Sequence, residues 1–131
     1  MPLNREIIAT KHAPAAVGPY SQAVQVGEFI YTAGQIPLVP ETGKLIEGGI
    51  EEQTRQVLQN LTNILDAAGS DLAHVVKTTI FVTNLADFAT INQIYASFFS
   101  GAPPARSTVQ VAALPLGANI EIEVVAIKGS A

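Results

Sequence analysis

The stretch Ile120-Glu121-Ile122-Glu123-Val124-Val125-Ala126-Ile127 decides how this chain can fold. Successive side chains of a β-strand point to opposite sides of a sheet, so the stretch predicts a strand with one wholly apolar side. That side carries Ile120, Ile122, Val124 and Ala126. The other side begins with Glu121 and Glu123 and then turns apolar. Because two neighbouring carboxylates repel each other, this side either faces a cleft or a subunit interface, or leaves both glutamates solvated at a strand end.

Upstream of this strand, residues 23–33 predict a β-hairpin. Ala23–Val26 and Phe29–Ala33 are separated by Gly27-Glu28, and a glycine in the first position of a two-residue loop favours a type II′ turn. Residues 34–49 contain so many prolines and glycines that an irregular loop is predicted to follow the hairpin.

Two amphipathic helices are predicted in the middle of the chain. Between Ile50 and Ala68 apolar residues recur at helical spacing, with acidic residues in the first turn and Gly69 placed to end the helix. A second helix follows Asp87, which can cap it, and ends before the breakers Gly101 and Pro103-Pro104. One stripe of this helix carries Phe88, Ile91, Tyr95, Phe98 and Phe99.

The remaining strands complete the predicted architecture. Val75–Val82 is rich in β-branched residues, which favours a strand covered on at least one face. Ser107–Val111 and Asn119–Lys128 are also predicted strands. The order hairpin, helix, strand, helix, strand, strand predicts one sheet with two helices packed on a single face, and residues 1–131 are expected to form one domain.

The composition favours an oligomer of small subunits. Of the 131 residues, 48% are hydrophobic and only 14% are charged, and the mean hydropathy is +0.32, which is rich for a protein that must cover its own surface with polar groups. The absence of cysteine excludes disulfides, thiolate metal sites and cysteine nucleophiles, and suits a reducing cytosol.

Several partners and locations are not expected. The N-terminal residues Met1–Glu6 lack the pattern of a secretion signal, and no apolar run approaches the roughly 18 residues of a membrane span, so we expect a cytoplasmic protein. The net charge is −4 and the seven basic residues are scattered, which argues against nucleic-acid binding. His12 and His74 lie far apart without ligand-like spacing, so no metal site is expected.

Arg106 is a candidate for binding a small acid. It follows the rigid segment Pro103-Pro104-Ala105 at the start of a predicted strand, and its planar guanidinium matches a carboxylate through two hydrogen bonds. The alternative is a surface salt bridge, for instance to Glu121 or Glu123.

Three further residues are weaker candidates. Tyr20 follows a tight turn and can cover a pocket, although most such tyrosines only pack. Gly34 ends a strand where a ligand can approach the backbone closely. Asn92 lies at the edge of the apolar helix stripe, where a satisfied boundary residue is the common alternative. No phosphate-binding, dinucleotide-binding or serine-nucleophile motif is present, so nothing indicates hydride or phosphoryl transfer.

Taken together, several separated motifs resemble the RidA (YjgF/YER057c/UK114) family of reactive-intermediate deaminases over nearly the whole chain. The motifs are Gly18-Pro19-Tyr20-Ser21-Gln22, Ala33-Gly34-Gln35-Ile36-Pro37, Asp87-Phe88-Ala89-Thr90-Ile91-Asn92, Pro104-Ala105-Arg106-Ser107, and Leu114-Pro115 before the Ile120–Ile127 strand. The resemblance implies a chorismate-mutase-like α+β fold with a mixed sheet, and a homotrimer whose sheets form a central barrel with sites between subunits.

The resemblance also implies a reaction and a set of site residues. The reaction is hydrolysis of 2-aminoacrylate, 2-iminopropanoate and 2-iminobutanoate to 2-keto acids without a cofactor. Arg106 would hold the substrate carboxylate, Glu121 would activate water, and Tyr20, Gly34 and Asn92 would line the pocket.

Two departures from the family pattern put the substrate preference in question. Ala33 stands where many bacterial relatives have serine, and Thr108 stands where they have cysteine. A non-catalytic module that binds a 2-keto acid would need the same arginine, so it remains the alternative function. A ribonuclease, an activity attached to some relatives, fits the acidic charge balance poorly.

Overall fold

A computed structural model describes residues 4–129 of the chain, so residues 1–3 and 130–131 of the predicted domain lie outside the described part. In chain order its helices and strands are β1 (Arg5–Ile8), β2 (Ala23–Val26), β3 (Phe29–Thr32), β4 (Leu38–Val39), β5 (Lys44–Leu45), α1 (Ile50–Ala67), β6 (Val75–Val82), α2 (Phe88–Phe98), β7 (Ala105–Gln110) and β8 (Ile120–Ile127). Short 3₁₀ turns precede β6, α2 and β8.

Six of these strands form one mixed sheet, in the order β1-β2-β3-β8-β6-β7. Every neighbouring pair is antiparallel except β6 and β7, which are parallel. The predicted mixed sheet is therefore confirmed. The strand β8, with its one wholly apolar side, lies inside the sheet between β3 and β6.

Both helices cover the same face of this sheet, as predicted. The apolar side of β8 is at most 2% exposed and joins the apolar stripe of α1 in one core. In the register between β6 and β8, Thr78 and Ile80 are paired with Val124 and Ile122 and so share their side of the sheet. Tyr95 of α2 packs on that same side, because its hydroxyl is hydrogen-bonded to Thr78 at 2.9 Å.

Two turn predictions are confirmed by the backbone. Gly27 has a φ of 59°, whereas Glu28 is not among the described residues with positive φ, which fits a type II′ turn rather than type I′. Gly69 has a φ of 77° and ends α1, and the next amide, that of Ser70, donates to the carbonyl of Leu65 at 2.8 Å. This is the hydrogen bonding of a Schellman motif.

The structure corrects the sequence predictions at four places. The edge strand β1 was not predicted, because its short and largely exposed sequence has no clear alternation. The segment 34–49 is not wholly irregular, since β4 and β5 pair across a turn at Gly43. The strand β7 begins two residues before the predicted start at Ser107 and ends one before Val111. Asp87 makes no side-chain cap, because it already has helical dihedrals at the end of a 3₁₀ turn.

None of the helices within residues 4–129 is long and apolar enough to cross a membrane.

Candidate functional site in two halves

Arg106 lies on the helix-covered side of the sheet. The parallel register pairs it with the buried Thr78 of β6, so its side chain rises towards α2 rather than towards the open face. It is half-buried at the edge of a pocket of about 350 Å³. The pocket is lined by Asn92, Tyr95, Ala96, Phe99, Pro103, Pro104 and Arg106.

The guanidinium of Arg106 meets aromatic rings instead of a carboxylate. Its Cζ atom lies 5.4 Å from the ring centroid of Phe88 and 4.9 Å from that of Tyr95. Among residues 4–129, the ion pairs within 4.0 Å join Arg55 to Glu51 and His74 to Asp71. Within one chain, Arg106 therefore forms no salt bridge to Glu121 or Glu123.

Two buried polar atoms beside Arg106 have no hydrogen-bond partner among the described residues. They are Oδ1 of Asn92 and Oγ1 of Thr108. Thr108 is two residues after Arg106 on β7 and so points to the same side of the sheet. A buried polar atom without a partner costs free energy unless a bound molecule supplies one. Asn92 is thus not the satisfied boundary residue that the alternative interpretation described.

Glu121 lies on the opposite, open side of the sheet. Its neighbours Ile120 and Ile122 are fully buried against the helices, so its own side chain points away from them. A backbone pair between Gln35 and Ile122, with N–O distances of 2.8 and 3.1 Å, holds the end of the hairpin beside β8. This pairing sets Gly34 directly against the Glu121 side chain.

Around Glu121 is a second pocket, of about 520 Å³, with mostly apolar walls. Its lining comprises Pro14, Ala15, Val17, Tyr20, Ala33, Gly34, Gln35, Ile36, Leu38, Pro115, Leu116 and Glu121. Burial raises the pKa of the Glu121 carboxyl above its usual value, and the neighbouring charge of Glu123 raises it further. Glu123 itself is exposed. The alternative in which both glutamates are solvated therefore holds for Glu123 but not for the partly buried Glu121.

Tyr20 stands at the rim of this second pocket with half of its surface exposed, 51%. The segment that precedes it is fastened by Gln22, whose buried amide donates to the carbonyl of Pro14 at 2.8 Å and accepts from the amide of Thr10 at 2.6 Å. These bonds fix the wall formed by residues 14–17.

The five predicted site residues therefore fall into two groups within one chain. We call the pocket with Asn92 and Arg106 the arginine half-site, and the pocket with Tyr20, Gly34 and Glu121 the glutamate half-site. They lie on opposite sides of the sheet and share no lining residue. One chain alone does not bring Arg106 and Glu121 to a common ligand.

Sequence reasoning missed several residues that shape the two half-sites. Phe88 and Tyr95 were predicted as members of a core stripe, yet Phe88 is 39% exposed and both rings contact Arg106. Val17 and Leu116 are strongly exposed at the glutamate half-site, and Leu116 has a left-handed φ of 58°. The available signal in the sequence was an apolar residue placed between Pro115 and Gly117, two residues that are typical of a turn.

No group of three or more His, Cys, Asp or Glu side chains within residues 4–129 is arranged to hold a metal ion. His12 is exposed, and His74 is paired with Asp71 at 2.6 Å. Neither histidine lines either half-site.

The chain is similar to a set of known proteins. The family described as Endoribonuclease L-PSP matches it over residues 10–128. A Mus musculus protein named 2-iminobutanoate/2-iminopropanoate deaminase is 52% identical over 125 residues, which cover 95% of this chain and 93% of the mouse protein. Reactive Intermediate Deaminase A, chloroplastic, of Arabidopsis thaliana is also 52% identical over 95% of this chain, which spans 66% of that longer protein. The crystal structure of E. coli TdcF with bound serine has a TM-score of 0.90 and 43% identity, and the match covers 95% of this chain and 99% of TdcF.

Proposed function

The chain belongs to the YjgF/RidA family, and from that premise we propose that it is a cofactor-independent deaminase of 2-imino and 2-enamino acids. Its substrates are 2-aminoacrylate, 2-iminopropanoate and 2-iminobutanoate, and its products are ammonia with pyruvate or 2-oxobutanoate. Relatives that are 52% and 51% identical are named for this activity.

The observation that carries the proposal is the state of Arg106. Its guanidinium edges a pocket and has no carboxylate within 4.0 Å among the described residues, so its charge is available to an anionic ligand. A planar guanidinium binds a carboxylate through two parallel hydrogen bonds. Arg106 therefore holds the substrate carboxylate and fixes the position of the adjacent imine carbon.

Glu121 activates the water molecule in this proposal. Its carboxylate accepts a proton from the water molecule while the water oxygen bonds to the imine carbon, and the nitrogen takes up a proton from the solvent as the C=N double bond becomes single. In the resulting carbinolamine, the protonated Glu121 returns its proton to the amino group, the C–N bond breaks so that ammonia leaves, and the hydroxyl group loses its proton to the solvent to form the keto group. A positioned acid or base contributes about 10²- to 10⁴-fold to such a step.

The raised pKa of Glu121 suits this role. A carboxylate whose pKa lies above its usual value is a stronger base, so it accepts a proton from water more readily, and the proton it then carries is available to the departing nitrogen. Tyr20 and the backbone at Gly34 complete the wall of the glutamate half-site. In the arginine half-site, Oδ1 of Asn92 supplies a hydrogen-bond acceptor that has no partner among the described residues.

Assembly of the two half-sites requires a second copy of the chain. The proposal therefore includes a homotrimer with a chorismate-mutase-like fold, in which the open sheet faces form a central barrel and each site lies between two subunits. The open face supports this arrangement, because it exposes Phe29, Tyr31 and Val109, each more than 40% accessible in a single chain. Large exposed apolar surfaces of this kind mark subunit contacts.

A second candidate is a sensor that binds a small carboxylate without turnover. The similar structure of TdcF holds serine, an amino acid, which favours a carboxylate ligand but does not require catalysis. The raised pKa of Glu121 favours the deaminase, because a sensor has no need of a water-activating group.

A ribonuclease, as the family description suggests, has less support. The net charge is −4, and the arginine half-site contains one cation and no histidine. We propose instead that residues 1–131 act as one domain in the cytoplasm on a small molecule, with no nucleic-acid or membrane partner.

The decisive assay couples the protein to threonine dehydratase and threonine, with semicarbazide competing for the released imine. The protein is expected to accelerate 2-oxobutanoate release, and the Arg106→Ala variant is not. If a folded wild-type protein gives no acceleration, the deaminase proposal is wrong and the sensor becomes the better interpretation.

A further inference from the structure

The surroundings of Arg106 differ from those of an ordinary half-buried arginine. Instead of a carboxylate partner, it has two aromatic rings whose centroids lie 4.9 and 5.4 Å from Cζ. A cation within about 6 Å of a ring centroid is attracted by the negative face of the ring. These rings therefore hold the guanidinium without competing for its hydrogen-bond donors.

The choice of aromatic partners has a chemical consequence. A carboxylate placed beside Arg106 would orient it equally well, but it would occupy two of the five N–H donors and offset the positive charge that attracts an incoming carboxylate. The faces of aromatic rings accept no strong hydrogen bond, so the edge of the guanidinium remains free. Arg106 can thus be ordered before the ligand arrives and still present its full charge.

Tyr95 is itself fixed in place. Its hydroxyl lies 2.9 Å from Oγ1 of Thr78, a fully buried residue on β6 that is in register with Arg106 on β7. Its ring also stacks on Phe99, with centroids 4.4 Å apart. The sheet that carries Arg106 therefore also anchors the ring against which the arginine lies.

Phe88 has a different position, at the first residue of α2. The residue is 39% exposed, although it belongs to a stripe that periodicity assigns to the core. Burial in the core accordingly does not account for an aromatic residue here, whereas its contact with Arg106 does.

We propose that Phe88 and Tyr95 are positioning residues that hold the Arg106 guanidinium ready for a carboxylate ligand, with Thr78 fixing the Tyr95 ring. The identity of the ligand rests on the proposed function, but the ordering of Arg106 does not. Neither ring needs to touch the substrate for this role.

The test uses Phe88→Leu, which removes the ring and keeps an apolar side chain at a partly exposed position. Phe98→Leu, at a half-buried residue of the same helix that does not line the arginine half-site, is the matched control. Phe88→Tyr keeps an aromatic ring at this position and should behave like the wild type. Circular dichroism checks that all three variants are folded.

The first readout needs no ligand. The chain has three arginines, Arg5, Arg55 and Arg106, so the Nε–Hε signals are few, and loss of one signal in Arg106→Lys assigns it. Nitrogen-15 relaxation is expected to show an ordered Arg106 Nε–H bond in the wild type and in Phe98→Leu, but a more mobile one in Phe88→Leu. Arg55 serves as an internal reference that should not change.

The second readout is binding of 2-oxobutanoate, together with the kinetics of imine hydrolysis. In Phe88→Leu we expect Kd and KM to rise about three- to tenfold while kcat stays within about twofold, because the rings act on carboxylate binding rather than on water activation. Unchanged order at Arg106 in Phe88→Leu, or lower order without weaker binding, would overturn the proposal. A wild-type protein with an ordered Arg106 that neither binds 2-oxobutanoate nor hydrolyses imines would refute the proposed function, while the relaxation comparison would still decide the positioning role.

Discussion

The Glu121 side chain lies directly against the Cα atom of Gly34. A Cβ atom built on Gly34 would stand 2.8 Å from the carboxyl carbon of Glu121, which is closer than side chains approach each other in proteins. Glycine is needed at position 34 for this close approach, not for an unusual backbone angle. The backbone of Gly34 therefore sets where the carboxylate of Glu121 can lie.

Replacing Gly34 by alanine is expected to displace the Glu121 carboxylate and to lower kcat for imine hydrolysis by about 10²-fold, the lower end of what a positioned base contributes. Binding of 2-oxobutanoate should change little, because Arg106 is untouched. Steady-state kinetics and calorimetry measure the two effects separately. Gly49→Ala is the control, since the nearest atom to a Cβ there is 4.0 Å away. Full activity in Gly34→Ala would contradict the claim that the backbone of Gly34 sets the position at which Glu121 acts.

The pH dependence of the reaction is expected to follow the ionisation of Glu121. Only the ionised carboxylate accepts a proton, so kcat should fall as the pH falls through a pKa that burial and the charge of Glu123 hold above its usual value. Glu123→Gln removes the smaller of these two causes. The fall of kcat at acidic pH should therefore occur at a lower pH in this variant than in the wild type. Burial remains, so part of the shift should persist.

Glu28→Gln provides the comparison for this pH experiment. It removes one negative charge from an exposed hairpin turn, away from the glutamate half-site. Its profile should match that of the wild type. An acid side that does not move in Glu123→Gln, or that moves to higher pH, would contradict the assignment of the ionisation to Glu121.

Arg106→Lys keeps the positive charge but loses the planar pair of donors. We expect the affinity for 2-oxobutanoate to fall at least about tenfold, because a hydrogen bond between charged groups contributes about 1.5–3 kcal/mol. Isothermal titration calorimetry measures this loss. Arg55→Lys, at a largely exposed arginine that pairs with Glu51, should bind like the wild type. Equal affinity in Arg106→Lys would mean that charge alone attracts the ligand.

Much of the fold could be predicted because its signals are local. The alternation along Ile120–Ile127 predicted both the buried side of β8 and the separate position of Glu121. The helix over residues 50–67 and the turns at Gly27 and Gly69 follow from periodicity and from glycine at a positive φ. By contrast, β1 pairs only with β2 at the edge of the sheet, and its sequence carries too little pattern to predict.

The arrangement of the site depends on long-range pairing, which no local pattern reveals. Gly34 meets Glu121 because Gln35 pairs with Ile122. Arg106 points to the helix side because β7 joins β6 in a particular parallel register. The candidate residues of the site could therefore be proposed from the motifs that resemble the family, but their division into two half-sites could not be predicted.

The most direct test of the account is co-expression of Arg106→Ala with Glu121→Gln, each of which should be inactive alone. If every site takes its arginine from one subunit and its glutamate from the next, randomly mixed oligomers restore intact sites, about one quarter of the total at equal expression. The imine hydrolysis assay should then show recovered activity, while Arg106→Ala co-expressed with the chain carrying both substitutions should show none. Absence of recovery in oligomers proven to be mixed would contradict a site assembled between subunits from Arg106 and Glu121.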